Sequence, residues 1–553
     1  MKLNAKILLR VCLFSLLTAV ILLCLNSFFQ PVWSKWNNYY TTKGFYEEPE
    51  NTIETVFLGA SVMQSSVSPM DMYNEHGINS YNLATEQQPV LGSYYWLKET
   101  YDYHSETLKN VVFDVSALRS NSKKAFYHKC FDNMKLSKNK IQGIYEYCNE
   151  SITDAISFMV PLISYHNRWS TLEESDFTKY GWEKDTGTRG YYYIKNSYLR
   201  TEGLNAVQTP PLILDEKAQP SELLENSLEY LDRMVQFCKE KNLKLVFIKT
   251  STIIWSSELH NAVQELADKY GIEFYDFNFE PLYSTNNFLH AFDSGSDGKH
   301  LNYYGAHKFT KWMGEYLTEK CGATDVRDNP KYDFMKDQYK EYEARVLQHV
   351  NLVSSKSLTE YLDLAFKGNN TVLLSVQENA AGALTEEDKK FFRENGLEKF
   401  AELPAYTSYV AVVQNGEVIY EQTGGMKSVG YKGLMPDGKT SYRLNSYAYD
   451  KESEGTAEII VDKKPAMEPG RGLNILVYSN ELGSTLNTTR FDTTVTTVRD
   501  NYGIHDIFFM TDEEEFNKDY APETMRGKVK LYMEKIVGIK KAETERLLAE
   551  SEK

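Results

Sequence analysis

Hydrophobic positions divide the chain into three textures. Val11 to Phe29, VCLFSLLTAVILLCLNSFF, runs nineteen residues without a charge, roughly what a helix needs to cross the hydrocarbon core of a bilayer. From residue 52 to about 320, short apolar blocks alternate with amphipathic stretches, the pattern of a parallel α/β sheet. The blocks predict strands at TVFLG (55–59), SYNLA (80–84), NVVFDV (110–115), KLVFIK (244–249) and EFYDF (273–277). VLGSYYWLKETYDYH and SELLENSLEYLDRMVQFCKEK read as helices between them, with residues 119–220 as a large insertion. Ala306, Phe309, Trp312, Met313, Tyr316 and Leu317 recur at helical spacing and predict a closing helix over 303–318. From about 370 strand-like runs follow one another (TVLLSV, SYVAVV, AEIIV, LNILVYS), and Asn415-Gly416 between two of them reads as a tight hairpin turn.

These textures predict an organisation. Residues 1–35 form a cytoplasmic tip and transmembrane anchor, 36–325 an α/β domain on a doubly wound parallel sheet, and 326–365 a helical connector. Residues 366–525 form a β-rich domain and 526–553 a charged helical tail. A chain of 553 residues is too long for one core, which agrees with two or three domains. Lys2, Lys6 and Arg10 precede the apolar run and Glu47, Glu48 and Glu50 follow it. That asymmetry puts the N-terminus in the cytoplasm and the rest outside the cell membrane. Trp33, Trp36, Tyr39 and Tyr40 would form the aromatic belt at the far interface. A cleaved signal peptide is the alternative, but no small-residue cleavage site precedes Gln30, so an uncleaved single-pass anchor is expected.

Composition narrows the partners. Lys and Arg number 61 against 77 Asp and Glu, a net charge of −16, which argues against nucleic acid. Forty tyrosines suit a surface that stacks on sugars, and they also suit β structure. Cys130, Cys148, Cys238 and Cys321 lie outside the span, where up to two disulfides could form. No Cys/His cluster has metal-ligand spacing, so neither a metal nor another cofactor is expected.

Candidate chemistry starts at FLGASVMQSS, Phe57 to Ser66. Ligands collect at the carboxyl ends of parallel strands, so Ser61, just after the first strand, stands at that edge. SDGKHLNYYGAHKFTKW returns His300 there, after the fifth strand and before the closing helix. Asp297, three residues earlier, is placed to hold one imidazole nitrogen while the other faces Ser61, the division of labour in a Ser-His-Asp triad.

FLGAS and DGKH resemble the first and last blocks of the SGNH (GDSL-like) hydrolase and acyltransferase superfamily. The resemblance covers residues 50–320 and implies Ser61 as nucleophile, His300 as base and Asp297 as its orienting acid. With the anchor, it is similar to membrane-anchored proteins of teichoic-acid D-alanyl transfer and of polysaccharide O-acetylation. SYNLATEQQPVLGSYYWLKE, DNMKLSKNKIQGIYEY and PLISYHNRWSTLEESDF resemble a clostridial group of such proteins. Two departures stand out. Ala60 replaces the usual Asp or Ser, and FDVSALRS stands where a Gly-x-Asn-Asp block would supply a side-chain oxyanion donor. Gln87 or Gln88, and Ser116, are the candidates to replace that donor. His166, Arg168 and Trp169 in SYHNRW are candidates for binding substrate, a structural ion pair and a packed indole being the alternative.

TVLLSVQENAAGALTEEDKKFFRENGL with YTSYVAVVQNGEVIYE resembles one half of the interleukin-like EMT-inducer (ILEI) domain. RGLNILVYSNELGSTLNTTRFDT resembles the other, the two halves standing in permuted order. The resemblance implies a β-sandwich that binds glycan or acts as a spacer, with Arg471 and Asp492 a binding or a fold-stabilising pair. The expected activity is that of an extracytoplasmic serine acyltransferase or esterase. It would add or remove acyl groups, chiefly acetyl, on a cell-surface polysaccharide, with a membrane-bound O-acyltransferase as partner. The alternative is a non-catalytic, glycan-binding scaffold for such an acyltransferase system.

Overall fold

The computed structural model describes residues 5–31, 38–119, 123–172, 188–194, 212–447 and 455–497, apart from positions 287, 289, 296 and 356. The chain divides into two units, Met1–Tyr339 and Lys340–Lys553.

The apolar N-terminal run is a helix, Ala5–Phe29. Within it Leu9–Phe29, 21 residues, is long and apolar enough to cross a membrane, since a rise of 1.5 Å per residue gives about 30 Å. Trp33 and Trp36 of the expected aromatic belt lie outside the described residues.

The first unit is built on five parallel strands, β1 (Thr55–Leu58), β2 (Ser80–Asn82), β3 (Asn110–Asp114), β4 (Lys244–Lys249) and β5 (Glu273–Asp276). They stand in the order β2-β1-β3-β4-β5. All five were legible as apolar blocks, because a parallel strand covered on both faces needs no polar alternation. Side chains at successive positions point to opposite faces. Val56, Leu58, Val111, Phe113 and Phe247 join one core with helices Val90–His104 and Glu225–Glu240. Phe57, Val112, Val246 and Ile248 join another with the closing helix, Tyr303–Cys321. From β1 the chain moves outward to β2, then returns to β3 on the other side of β1. The crevice where strand order reverses therefore opens between the carboxyl ends of β1 and β3.

Arg189, in the insertion, is wholly buried. It donates to Glu48 (2.7 Å), Asn79 Oδ1 (2.7 Å), the Ser80 carbonyl (2.9 Å) and Gln338 (2.6 Å). One guanidinium thus fastens the edge of the sheet to segments far apart in sequence. Removing it would leave the buried Glu48 carboxylate without its counter-charge, bonded to Gln338 Nε2 at 2.9 Å.

The second unit has two antiparallel sheets. The five-stranded one joins β6 (Asn370–Gln377), β7 (Ser408–Gln414), β8 (Glu417–Gly425), β13 (Gly472–Ser479) and β14 (Ser484–Phe491). The four-stranded one joins β9 (Val429–Leu434), β10 (Ser441–Ser446), β11 (Ala457–Val461) and β12 (Lys464–Pro465). Val372, Leu374 and Ile475 pack on helices Leu358–Lys367 and Glu386–Glu394. On the opposite face Leu373, Val410 and Leu476 meet Leu444 and Ile459 of the smaller sheet. Asn415 and Gly416 both have positive φ (51° and 80°) between β7 and β8, as a two-residue hairpin turn requires.

Two expectations change. Residues 326–365 are no separate connector: Tyr332 and Met335 are buried in the first unit, and Leu358, Tyr361 and Leu362 belong to the core of the second. No cysteine is in a disulfide, and Cys130 and Cys238 are buried as free thiols. The helix after β6, Glu386–Glu394, was not foreseen. The expected tail helix, 526–553, lies outside the described residues.

Candidate active site

β1 ends at Leu58, and Gly59-Ala60 turn the chain into a short helix, Ser61–Ser66. Gly59 has φ of 143°, and a Cβ there would lie 2.7 Å from that of Asp114. Only glycine lets β1 and β3 approach this closely while the chain turns. The turn sets Ser61 at the first helical position, 8% exposed, where a backbone N–H has no intrahelical acceptor.

The partner arrives on a closed loop. Ser294 and Leu301 bridge antiparallel, with Gly295 N donating to the His300 carbonyl at 2.7 Å. Asn302 N donates to the Asp293 carbonyl (2.9 Å), and the Asn302 side chain caps the closing helix at Tyr304 N and Gly305 N. Within the loop Asp297 Oδ1 accepts from the amides of Lys299 (2.9 Å) and His300 (3.2 Å). Buried His290 supports it from beneath, its Nε2 bonded to the Gly298 carbonyl (2.9 Å) and its Nδ1 to Ser294 Oγ (3.0 Å).

Ser61 Oγ lies 2.8 Å from His300 Nε2, and His300 Nδ1 lies 2.6 Å from Asp297 Oδ2. Burial alone would raise the Asp297 carboxyl, but its bond to His300 and the loop amides hold it at about 2. An ionised Asp297 can only accept, so it fixes the proton on Nδ1 and leaves Nε2 free to accept from the Ser61 hydroxyl. The three side chains form one directed row, joining positions 239 residues apart in sequence. Such a row can lower the cost of ionising the hydroxyl as it attacks an electrophilic carbon.

The other candidates lie elsewhere. Ser116 donates its hydroxyl to Asp114 Oδ1 (2.8 Å), so that proton is not available to an oxyanion. Gln88 is buried between Thr85 and Ser93, donating to the latter at 3.0 Å. Gln87 is exposed on a left-handed backbone (φ 47°) before helix Val90–His104. His166, Arg168 and Trp169 do not join the row. Arg168 Nη1 donates to the carbonyl of Phe29 (2.8 Å) at the end of the apolar helix, His166 bonds the Ile163 carbonyl, and Trp169 is exposed.

A group that sequence reasoning missed is Asp114, the last residue of β3, fully buried beside the crevice. Its Oδ1 accepts from Ser116 N and Oγ, while Oδ2 has no hydrogen-bond partner. Burial raises its carboxyl, and Lys249 opposes that rise. Lys249 is itself buried, with burial lowering its ammonium, and it donates to the Thr250 carbonyl at 3.0 Å. The available signal was an acid ending an otherwise apolar strand on the β1 side of the sheet. No protein-family model, no curated protein and no solved structure matches this chain.

Proposed function

We propose that the chain is a membrane-anchored serine acyltransferase or esterase of the SGNH type, facing the outside of the cell. It would add or remove acyl groups, chiefly acetyl, on a cell-surface polysaccharide. The observation that carries the proposal is the row Ser61–His300–Asp297, with separations of 2.8 and 2.6 Å. Ser61 Oγ attacks the ester carbonyl while His300 Nε2 takes its proton, and the Ser61 amide faces the developing oxyanion. The C–O bond to the leaving alcohol then breaks, and His300 returns the proton to that oxygen. An acyl-Ser61 remains. A sugar hydroxyl, or water, is deprotonated by His300 and attacks it, releasing the acylated product and restoring Ser61. Asp297 stabilises the imidazolium in both halves. No cofactor enters these steps. Two facing sheets in the second unit are compatible with an ILEI-type sandwich, which would add a glycan-binding module.

The test is a fluorophosphonate probe applied to the purified full chain. Wild type is expected to label at Ser61, and Ser61→Ala to lose the signal with unchanged thermal unfolding. Equal labelling of both removes Ser61 from the mechanism. A second reading is a non-catalytic scaffold for a membrane-bound O-acyltransferase. The commitment of Ser116 to Asp114 and of Gln88 to Ser93 favours it, since neither supplies an oxyanion donor. Polymer acylation in cells carrying His300→Ala separates the two: it falls if the chain adds acyl groups, rises if it removes them, and is unchanged if the chain is the scaffold.

A further inference from the structure

His166–Trp169 ends a run of short helices, Ile152–Met159, Pro161–Tyr165 and His166–Ser170, of which the last two pack against the apolar N-terminal helix and the first packs on the second. Hydrogen bonds fasten the contact. Leu162 N donates to Asn26 Oδ1 (2.9 Å), Arg168 Nη1 to the Phe29 carbonyl (2.8 Å), and Gln30 Nε2 to the Asp132 carbonyl (3.1 Å). Ala155, Phe158 and Pro161 turn inward and are buried. Ile152, Ile156, Ile163 and Trp169 turn outward, 67%, 47%, 49% and 73% exposed. Four large apolar side chains exposed within eighteen residues mark an interaction surface rather than ordinary scatter.

We propose that this face is a second membrane contact, seated in the interfacial layer of the leaflet from which the N-terminal helix emerges. It rests on the anchor reading above and not on the chemistry assigned to Ser61. Depth is the reason to choose lipid as the occupant. Leu9–Phe29 matches the thickness of the hydrocarbon core, so Phe29 stands at its boundary. Groups hydrogen-bonded to Asn26, Phe29 and Gln30 are held at that same level. Trp169 suits that layer, where an indole keeps one edge wet and one face apolar. Isoleucines beside it reach into the acyl boundary, as on a monotopic amphipathic helix. Arg168, with its charge next to Phe29, lies where phosphates are. A helix that only tethers leaves a domain free to tumble. This second contact fixes the tilt of the first unit on the bilayer.

The test uses the full chain in vesicles of phosphatidylcholine and phosphatidylglycerol, with a benzophenone amino acid placed in turn at Ile156 and at Trp169. Leu17, inside the apolar helix, is the positive control, and Ile419, an exposed apolar residue of the second unit, is the reference. Lipid adducts at 156 and 169 are expected at least about fivefold above those at 419. Adducts at 17, with 156 and 169 no higher than 419, overturn this contact while sparing the anchor. Adducts from 156 or 169 to a second copy of the chain overturn it in favour of a dimer surface. An absence of adducts at 17 overturns the anchor and this contact together.

Discussion

The rim of the parallel sheet and the buried polar groups of the second unit connect their polar side chains differently. At the rim, Asp297, His300 and Ser61 are bonded side chain to side chain, and the row ends in a hydroxyl. In the second unit buried Asn474 is saturated by main chain: Nδ2 donates to the Gly470 carbonyl (2.8 Å) and the Ser375 carbonyl (3.3 Å), while Oδ1 accepts from Gly470 N (2.8 Å). Ser446 likewise donates to the Val376 carbonyl and accepts from Tyr409 N. Networks that end in backbone hold strands in register. One that ends in a hydroxyl bonded to an imidazole has somewhere for a proton to go. Wiring sets the two kinds of polar group apart.

The sharpest way to break that contrast is Asp297→Asn, which keeps the loop turn but removes the charge that fixes the proton on Nδ1. Labelling of Ser61 by the fluorophosphonate should slow about 10³-fold with little change in thermal unfolding; an unchanged rate would make the row incidental. Next is acidification. Burial holds His290 at about 4 and His104 at about 3, both below the ordinary 6.5. As pH falls from 6.5, the unfolded chain takes these protons first, so stability is lost down through pH 4. His290 contributes on the order of 3 kcal/mol to that loss. His307 works the other way: burial would lower it, but Asp71 holds it above its usual value. The readout is therefore the difference between wild type and His290→Gln, whose unfolding midpoint should fall less across the window. Equal slopes would remove His290 as the acid-sensitive support.

Asn474→Ala is expected to cost about 2 kcal/mol, because it strands main-chain groups that the side chain satisfies. Denaturant unfolding of the second unit should show it while Ser61 labelling stays intact; slowed labelling would mean that the two networks are coupled. The smallest effect belongs to Arg471→Ala. Arg471 meets Asp492 at 2.6 Å across the ends of β13 and β14, but in the open. Exposed pairs of this type are screened and contribute little, so the midpoint should not move measurably in physiological salt. A clear loss there would give this surface pair more weight than its exposure allows.

How much was legible follows from the range over which each feature is encoded. The five parallel strands are apolar blocks bounded by turns, and the acid–base pair lies within four residues, so both stand in local sequence. β14, STLNTTRF, did not, because it is an edge strand whose polar face looks outward. Arg189 was invisible: it resembles any insertion arginine until Glu48, Asn79 and Gln338 surround it. Oxyanion candidates chosen by place in sequence failed at Ser116 for a similar reason, since a nearby carboxylate had already engaged the hydroxyl. SYHNRW looked like a substrate site because arginine and tryptophan also suit sugars. The bond from Arg168 to the Phe29 carbonyl places that motif beside the end of the apolar helix, a neighbour no local pattern announces.

The clasp between Ser294 and Leu301 has a consequence for how the site could be switched. Asp297 and His300 share one small ring of chain, so their mutual alignment goes with that ring, whereas Ser61 belongs to the short helix after β1. Displacing the ring would withdraw both partners from Ser61 together, at the expense of the bonds that buried His290 makes to Gly298 and Ser294 and of the packing of buried Leu301. The alignment of acid with base is therefore kept by the ring itself, and its reach to the Ser61 hydroxyl by the buried groups beneath it.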